Sequence, residues 1–416
     1  MKRGKALTAV AAMLAGITAV ALSGCSQGNG GSDEKVTLEY ANFSSSPDHT
    51  KQLDAIIAAF EKSHPNIAIK VTTAAYDNYF TNVRTRVSGG SAPDTFELDY
   101  ANYLSFAGSD ALLDLNSNGL SVDSSVYAKK PYQSFTLSGK QYGLPESFSS
   151  VVLAYNKTMF DKAGLAYPTN SWTWADEQAA AKKLTDRAAG IYGDYQPVQF
   201  SEFYKAIAQA GGSILNANKT KAVFDSTAGV KAANWLIGKV GTTMPTAAQL
   251  GSGGESQLFL DGKLAMMEQG IWAFSELDSM KDDWDIVVDP GDAQKASQFF
   301  SNAAVISKST KHPKEALEWI EYLTSSDTTV QQRISSAWEV PAISDQSKLS
   351  AYLTAGKPAN RQAVLDSIEH VVLPPGVKQE SQLENIITLA LQQAQQGKDV
   401  EQALSDAAKQ VDTLLG

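Results

Sequence analysis

The sequence predicts an α/β chain of two domains, and three observations carry that prediction. Apolar residues alternate at period two in short runs and recur at helical spacing between them, beginning with a β-α-β unit over residues 36–71. The chain has 416 residues, and the roughly 390 that follow an N-terminal leader exceed what one hydrophobic core holds. With 43% hydrophobic and 19% charged residues, the composition is that of a globular body.

The leader comes first. Lys2, Arg3 and Lys5 form a basic head, an apolar stretch runs from Ala6 to Leu22, and Leu22-Ser23-Gly24-Cys25 closes it. The apolar stretch is shorter than the about twenty residues a membrane-spanning helix needs, so residues 1–24 read as a secretory signal. An ordinary signal peptide that happens to end near a cysteine is the simpler alternative. However, Leu-Ser-Gly-Cys resembles the bacterial lipoprotein signal, and Cys25 is the chain's single cysteine. The resemblance implies lipidation of Cys25 and an anchor on the extracellular face of the cell membrane, of the Gram-positive type. Residues 25–35, rich in Gly, Ser, Gln and Asn, read as a flexible tether.

One cysteine rules out an intramolecular disulfide, a Cys-based zinc site and a cysteine nucleophile in the body. The four histidines, at 49, 64, 312 and 370, lack metal-ligand spacing; His64 and His312 each precede a proline and mark helix boundaries. No metal and no cofactor is expected. The formal net charge is −10, and losing the three basic leader residues makes the body more acidic still. Such a surface argues against nucleic acid and against charge-driven adhesion to an anionic membrane.

The elements follow in order. Val36, Leu38 and Tyr40 alternate as a strand; Leu53, Ile56, Ile57 and Phe60 share one face of a helix that His64-Pro65 stops; Ile67, Ile69 and Val71 alternate again. A helix with Tyr79, Phe80, Val83 and Val87 ends at Gly89-Gly90, and a strand spans Asp94 to Leu98. Gly164 caps a helix that starts near Asn156. Thr173-Trp174-Ala175-Asp176 fits a capping box for a helix running to about Arg187. Helices near Glu202–Ala210 and Thr227–Val240 precede a strand at Leu264–Glu268, and a strand at Ala303–Ile306 leads into a helix bearing Ala316, Trp319, Ile320 and Leu323. Two helices, near Gln382–Gln396 and Val400–Leu415, end the chain. The run Asp282-Asp283-Trp284-Asp285 reads as a solvated turn.

Catalytic and phosphate-binding signatures are absent: no G-x-S-x-G, P-loop, dinucleotide fingerprint or H-E-x-x-H occurs. Aromatic residues are plentiful, with 7 Trp, 15 Tyr and 15 Phe, and Trp172, Trp272 and Trp338 sit near turns. A flat ring packs on the C–H face of a pyranose, whose hydroxyls then need carboxylate or amide partners.

Several motifs in order resemble one family. Gly89-Gly90-Ser91-Ala92-Pro93-Asp94, Ala111-Leu112-Leu113-Asp114-Leu115 and Tyr142-Gly143-Leu144-Pro145-Glu146 are followed by Leu153 to Phe160, Phe259 to Met267, Gly270-Ile271-Trp272 and Lys311 to Ala316. Together they are similar to the carbohydrate-binding solute-binding proteins of ABC importers, the branch related to maltose-binding protein. The resemblance implies a two-lobed periplasmic-binding-protein fold, type II-like, with a ligand cleft between lobes joined by hinge strands. Lobe 1 would comprise 36–144 plus 300–335, and lobe 2 would comprise 145–299 plus 336–416. It implies a non-enzymatic monomer that takes a sugar, an oligosaccharide by preference, and delivers it to permease subunits. Ligands in open α/β sheets bind beyond the carboxyl ends of the strands. Trp272 is then the stacking ring, and Glu146 and Asp99 the carboxylates. Tyr100, Asn102, Phe43, Ser44, Gln199, Asn302 and Trp338 line the cleft. The segment Pro374–Gln382 carries no aromatic residue, unlike maltodextrin-binding relatives. Two other readings stand beside this one: a receptor of the same fold for a non-sugar solute, and a surface glycoside hydrolase using Asp99 and Glu146 as its carboxylate pair.

Overall fold

The computed structural model describes residues 35–336, 340–354 and 356–416. Cys25, the leader, the tether before Lys35 and Trp338 lie outside them. Strands β1 (Val36–Asn42) and β2 (Ile67–Thr73) pair in parallel, and β3 (Thr95–Asp99) lies parallel to β1 on its other side. Helix α1 (Pro47–Ser63) makes the crossover. Ser46 caps it, Pro47 opens it with a φ already suited to a helix, and its C-cap His64 stacks on Phe60 at 4.2 Å. Ile56 and Phe60 are its buried stripe, as the spacing predicts. Helices α2 (Tyr76–Ser88) and α3 (Tyr100–Gly108) flank β3.

The hairpin β4 (Thr136–Leu137) and β5 (Lys140–Gln141) leads into β6 (Gly143–Asn156), fourteen residues that are buried throughout. The first half of β6 pairs antiparallel with β9 (Ser297–Ile306), which also pairs with β3. Its second half pairs with β7 (Met266–Gly270) and β8 (Trp284–Val287). Two short strands complete the sheet: β10 (Val340–Pro341) on β6 and β11 (Val371–Val372) on β9. The sheet order is β10-β6-β9-β3-β1-β2.

Apolar packing divides along β6 and β9. Leu144, Ala304 and Ile306 join Leu38, Tyr40, Phe60 and Trp319, while Val152, Ala154 and Phe299 join Met267, Phe274, Trp284 and Ile286. A further cluster gathers Phe203, Ile207, Phe224 and Leu236 with Leu383, Ile387 and Leu404 of the closing helices Glu380–Gln395 and Val400–Leu415.

Local rules hold where their partners are near in sequence. Thr173 and Asp176 form the capping box, and Gly164 ends its helix at φ +64°, a conformation that costs a side chain with a Cβ. The helix begun at Trp174 stops at Leu184, because Thr185 turns extended before Arg187 is reached. The acidic run at 282–285 is corrected. Asp283 is exposed and pairs with Lys157, but Trp284 is buried and opens β8 against Asn156. Among the described residues, no helix is long and apolar enough to cross a membrane.

Candidate ligand-binding cleft

Three adjacent strands bring the first group together. In the β3–β9 ladder Asp99 faces Asn302, and Asn302 in turn faces Ser147 of β6. Asp99 ends β3 and caps α3. Its Oδ1 accepts from the Asn102 backbone N–H at 2.7 Å and from Asn102 Nδ2 at 2.9 Å, and its Oδ2 accepts from the Tyr76 hydroxyl at 2.6 Å. Burial pushes the Asp99 carboxyl up, while the bonds from Tyr76 and Asn102 draw it back. Asn102 also accepts from Arg84. The Phe43 ring stands perpendicular to Tyr76 at 5.3 Å, and the Phe43 N–H donates to Glu97 Oε2. Tyr76 itself is 53% exposed at the mouth of this group.

Tyr100 reaches the other way, with its ring 6.4 Å from Phe299 of β9. A Cβ added at Gly376 would lie 3.0 Å from the Tyr100 hydroxyl, and Lys219 Nζ donates to the Gly376 carbonyl at 3.2 Å. The aromatic-free segment 374–382 therefore meets Tyr100 through backbone. Glu380 and Glu384, on the helix that follows, both titrate near 7: burial raises each, and Glu384 is raised further by Glu380 and Asp99.

Trp272 follows β7 and is 41% exposed, although the strand before it is wholly buried. Its ring stands at 87° to Phe300 with centroids 5.1 Å apart, and it lies over Gly270, where a Cβ would meet ring atoms at 2.1 Å. An exposed indole held by two contacts in place is an open apolar surface.

Glu146 is placed differently. The β6–β9 register slips between Pro145 and Ser147, so Glu146 occupies a bulge. It is buried, accepting from Arg333 Nη2 at 2.6 Å and from the Tyr40 hydroxyl at 3.2 Å. Ser44 joins it around a small cavity of about 30 Å³, where Asn42, His49, Glu97 and Arg333 meet the apolar side chains of Leu53, Ile56 and Leu323. Gln199 begins the helix Phe200–Gln209, where its side chain donates to Ser201 Oγ at 2.8 Å.

The structure thus gathers Phe43, Asp99, Tyr100, Asn102 and Asn302, sets Trp272 on Phe300, ties Glu146 into a neighbouring buried network, and leaves Ser44 lining the cavity beside it. Sequence reasoning missed Tyr76, Phe300, Arg333, Glu380 and Glu384. Tyr76 shares a helix with Tyr79 and Phe80, whose spacing suggests core; its exposure was the only distinguishing property, and exposure is tertiary.

Packed apolar groups along both halves of the shared strands β6 and β9, with aromatic and carboxylate side chains at the strand ends, define an α/β binding protein of two lobes. Residues 44–330 match the bacterial extracellular solute-binding protein family, and the chain belongs to it. An ABC substrate-binding protein of Listeria monocytogenes, solved in complex with cycloalternan, is 38% identical; the match covers 92% of this chain and 99% of that one, with a TM-score of 0.87. A maltodextrin-binding protein of Bacillus subtilis is 24% identical, covering 82% of this chain and 81% of its own. An uncharacterized lipoprotein of Streptomyces antibioticus is 24% identical, covering 80% and 76%.

Proposed function

We propose that this chain is the extracellular sugar-binding component of an ABC importer, taking an oligosaccharide between its lobes and passing it to membrane permease subunits. The observation that carries this reading is the exposed indole of Trp272, braced against Phe300, which shares β9 with Asn302, the residue that faces Asp99. A pyranose presents one apolar face and a rim of hydroxyls, which such rings and planar acceptors complement. The cycloalternan and maltodextrin named for similar proteins support the same ligand class.

Lobe 1 is assigned to 36–144 plus 300–335 and lobe 2 to 145–299 plus 336–416; the division of apolar packing along β6 and β9 supports this, except that Val330 and Ile334 pack with the residues of the second lobe. Ligand contacts to both lobes would favour the closed arrangement. Binding without catalysis is supported by Glu146, whose oxygens are engaged by Arg333 and Tyr40. A lipid on Cys25, after removal of 1–24, would hold the protein on the outer face of the membrane as a monomer, with 25–35 as tether. The Leu22-Ser23-Gly24-Cys25 junction and the lipoprotein relative support that anchor.

Isothermal titration against maltotetraose, cycloalternan, mannotriose and arabinooligosaccharides tests the ligand. Saturable heat with at least one sugar, and recovery of that sugar unchanged, is the expected outcome. Heat only with a non-sugar solute would overturn it. For the anchor, Cys25→Ser is expected to abolish acyl-chain labelling and release the protein into the medium.

A further inference from the structure

A buried charge cluster reaches β7, the strand that leads to Trp272, and β9, the strand that carries Phe300. Lys205 Nζ pairs with Glu202 at 2.9 Å, with Asp289 at 3.4 Å and with Glu268 of β7. Lys239 Nζ pairs with Asp194 at 3.0 Å and Glu177 at 3.3 Å, and bonds to Gln196. All seven ionisable side chains are buried, so five carboxylates share two ammonium groups. In Glu177, Asp194, Glu268 and Asp289 one oxygen meets a lysine while the other receives no hydrogen bond. Buried carboxylate charge without a full set of partners is strongly disfavoured, and the group takes up a proton instead.

Two arms lead from this cluster to the rings. Glu268 lies on the strand that ends just before Trp272. Gln298 Nε2 donates to Glu202 Oε1 at 2.6 Å, and Gln298 shares β9 with Phe300.

We infer that the Lys205 cluster is a proton-dependent positioning element for the Trp272–Phe300 ring pair. While the cluster keeps its proton, Lys205 draws β7 and β9 together and the rings stay perpendicular. When the proton leaves for solvent, the added negative charge loosens both arms. Asp289 is the group that releases it. Burial pushes its carboxyl up to about 7, Lys205 draws it back, and Glu202 and Glu177 add to the rise. The groups around it are Glu177 from the helix Trp174–Leu184, Glu202 and Lys205 from Phe200–Gln209, and Glu268 from β7; Asp194 and Lys239 stand beyond Glu177.

The consequence for binding rests on the sugar reading, but the test uses no ligand. Trp272 emission is isolated as the difference between the purified protein and its Trp272→Phe variant and followed from pH 5 to 9, alongside melting curves. The expected result is a titration of the Trp272 signal centred near pH 7 that Asp289→Asn removes. Gln298→Leu should also remove it while the melting temperature keeps its pH dependence, which separates positioning from mere stability. A Trp272 signal flat from pH 5 to 9, or an unchanged midpoint in Asp289→Asn, overturns the inference. Should Asp289→Asn not fold, the native titration and Gln298→Leu decide. Failure here leaves calorimetric sugar binding untouched, and absence of sugar binding leaves this coupling standing.

Discussion

Trp272 and Gly270 make one unit, because the indole can lie where it does only if position 270 has no side chain. Gly270 has an ordinary negative φ of −75°, so alanine fits its backbone, yet the added Cβ would collide with the Trp272 ring. Gly270→Ala is therefore expected to fold and to displace the ring. If Trp272 stacks on sugar, Trp272→Ala should weaken binding about two- to tenfold, since aromatic stacking contributes about 0.5–1.5 kcal/mol beyond area burial. Gly270→Ala should fall in the same range, with little change in melting temperature for either. Calorimetry checks both, and full affinity in Gly270→Ala would remove the ring from the site. At this scale the sequence was legible where a residue sits beside its own strand end. Asp99 and Asn102 are three residues apart and find each other through a helix cap. Arg333 could not be found that way, because its partner Glu146 lies far along the chain and only the fold brings them together.

The long strand β6 organises the elements. Its first half belongs with β9 and β3 and its second with β7 and β8, so its departure from regular pairing at Glu146 falls between two packing environments. The helix Asp327–Ser336 is tied to that bulge by the Arg333–Glu146 pair, both side chains being nearly inaccessible. Removing one partner of a buried pair leaves the other charge stranded. Arg333→Met should therefore cost about 3–5 kcal/mol, and adding Glu146→Gln should restore much of it. Chemical denaturation of the single and double variants measures this, and additive losses would mean that the two do not interact. Alternation and helical spacing revealed β1, α1 and β2, where one face reaches solvent. They did not reveal β6 as one strand, because Ser147, Ser149 and Ser150 are all buried and erase the alternation. Trp284 was hidden for the opposite reason: flanking aspartates suggested solvent, while its own side chain enters the core.

At the scale of the whole molecule, the closing helix Glu380–Gln395 packs against α3 and carries acid toward acid. Glu384 feels Asp99 and Glu380 as like charges, and all three carboxyls are raised above their ordinary values. Neither end of the chain announces this in sequence, since Glu380 and Glu384 look like the polar face of an ordinary amphipathic helix. The consequence for stability has a definite sign. Unfolded glutamate titrates near 4.3, whereas Glu380 and Glu384 titrate near 7 in the fold, so between those values the folded chain binds more protons than the unfolded one. Their contribution is present in full below about pH 4.3 and is lost as pH rises through 7. Carboxylates held low by partners, such as Glu39 beside Arg86, act oppositely and at more acidic pH. The melting temperature should accordingly fall between pH 5 and 7.5. Glu384→Gln removes one raised group and relieves Glu380 and Asp99 of a charge, so its curve should be flatter over that window and lie above the parent's at pH 7.5. Scanning calorimetry across the window measures the difference. Parallel curves would show that Glu384 holds its proton no more tightly in the fold than in the unfolded chain, and that the contact between α3 and the closing helix carries no electrostatic strain.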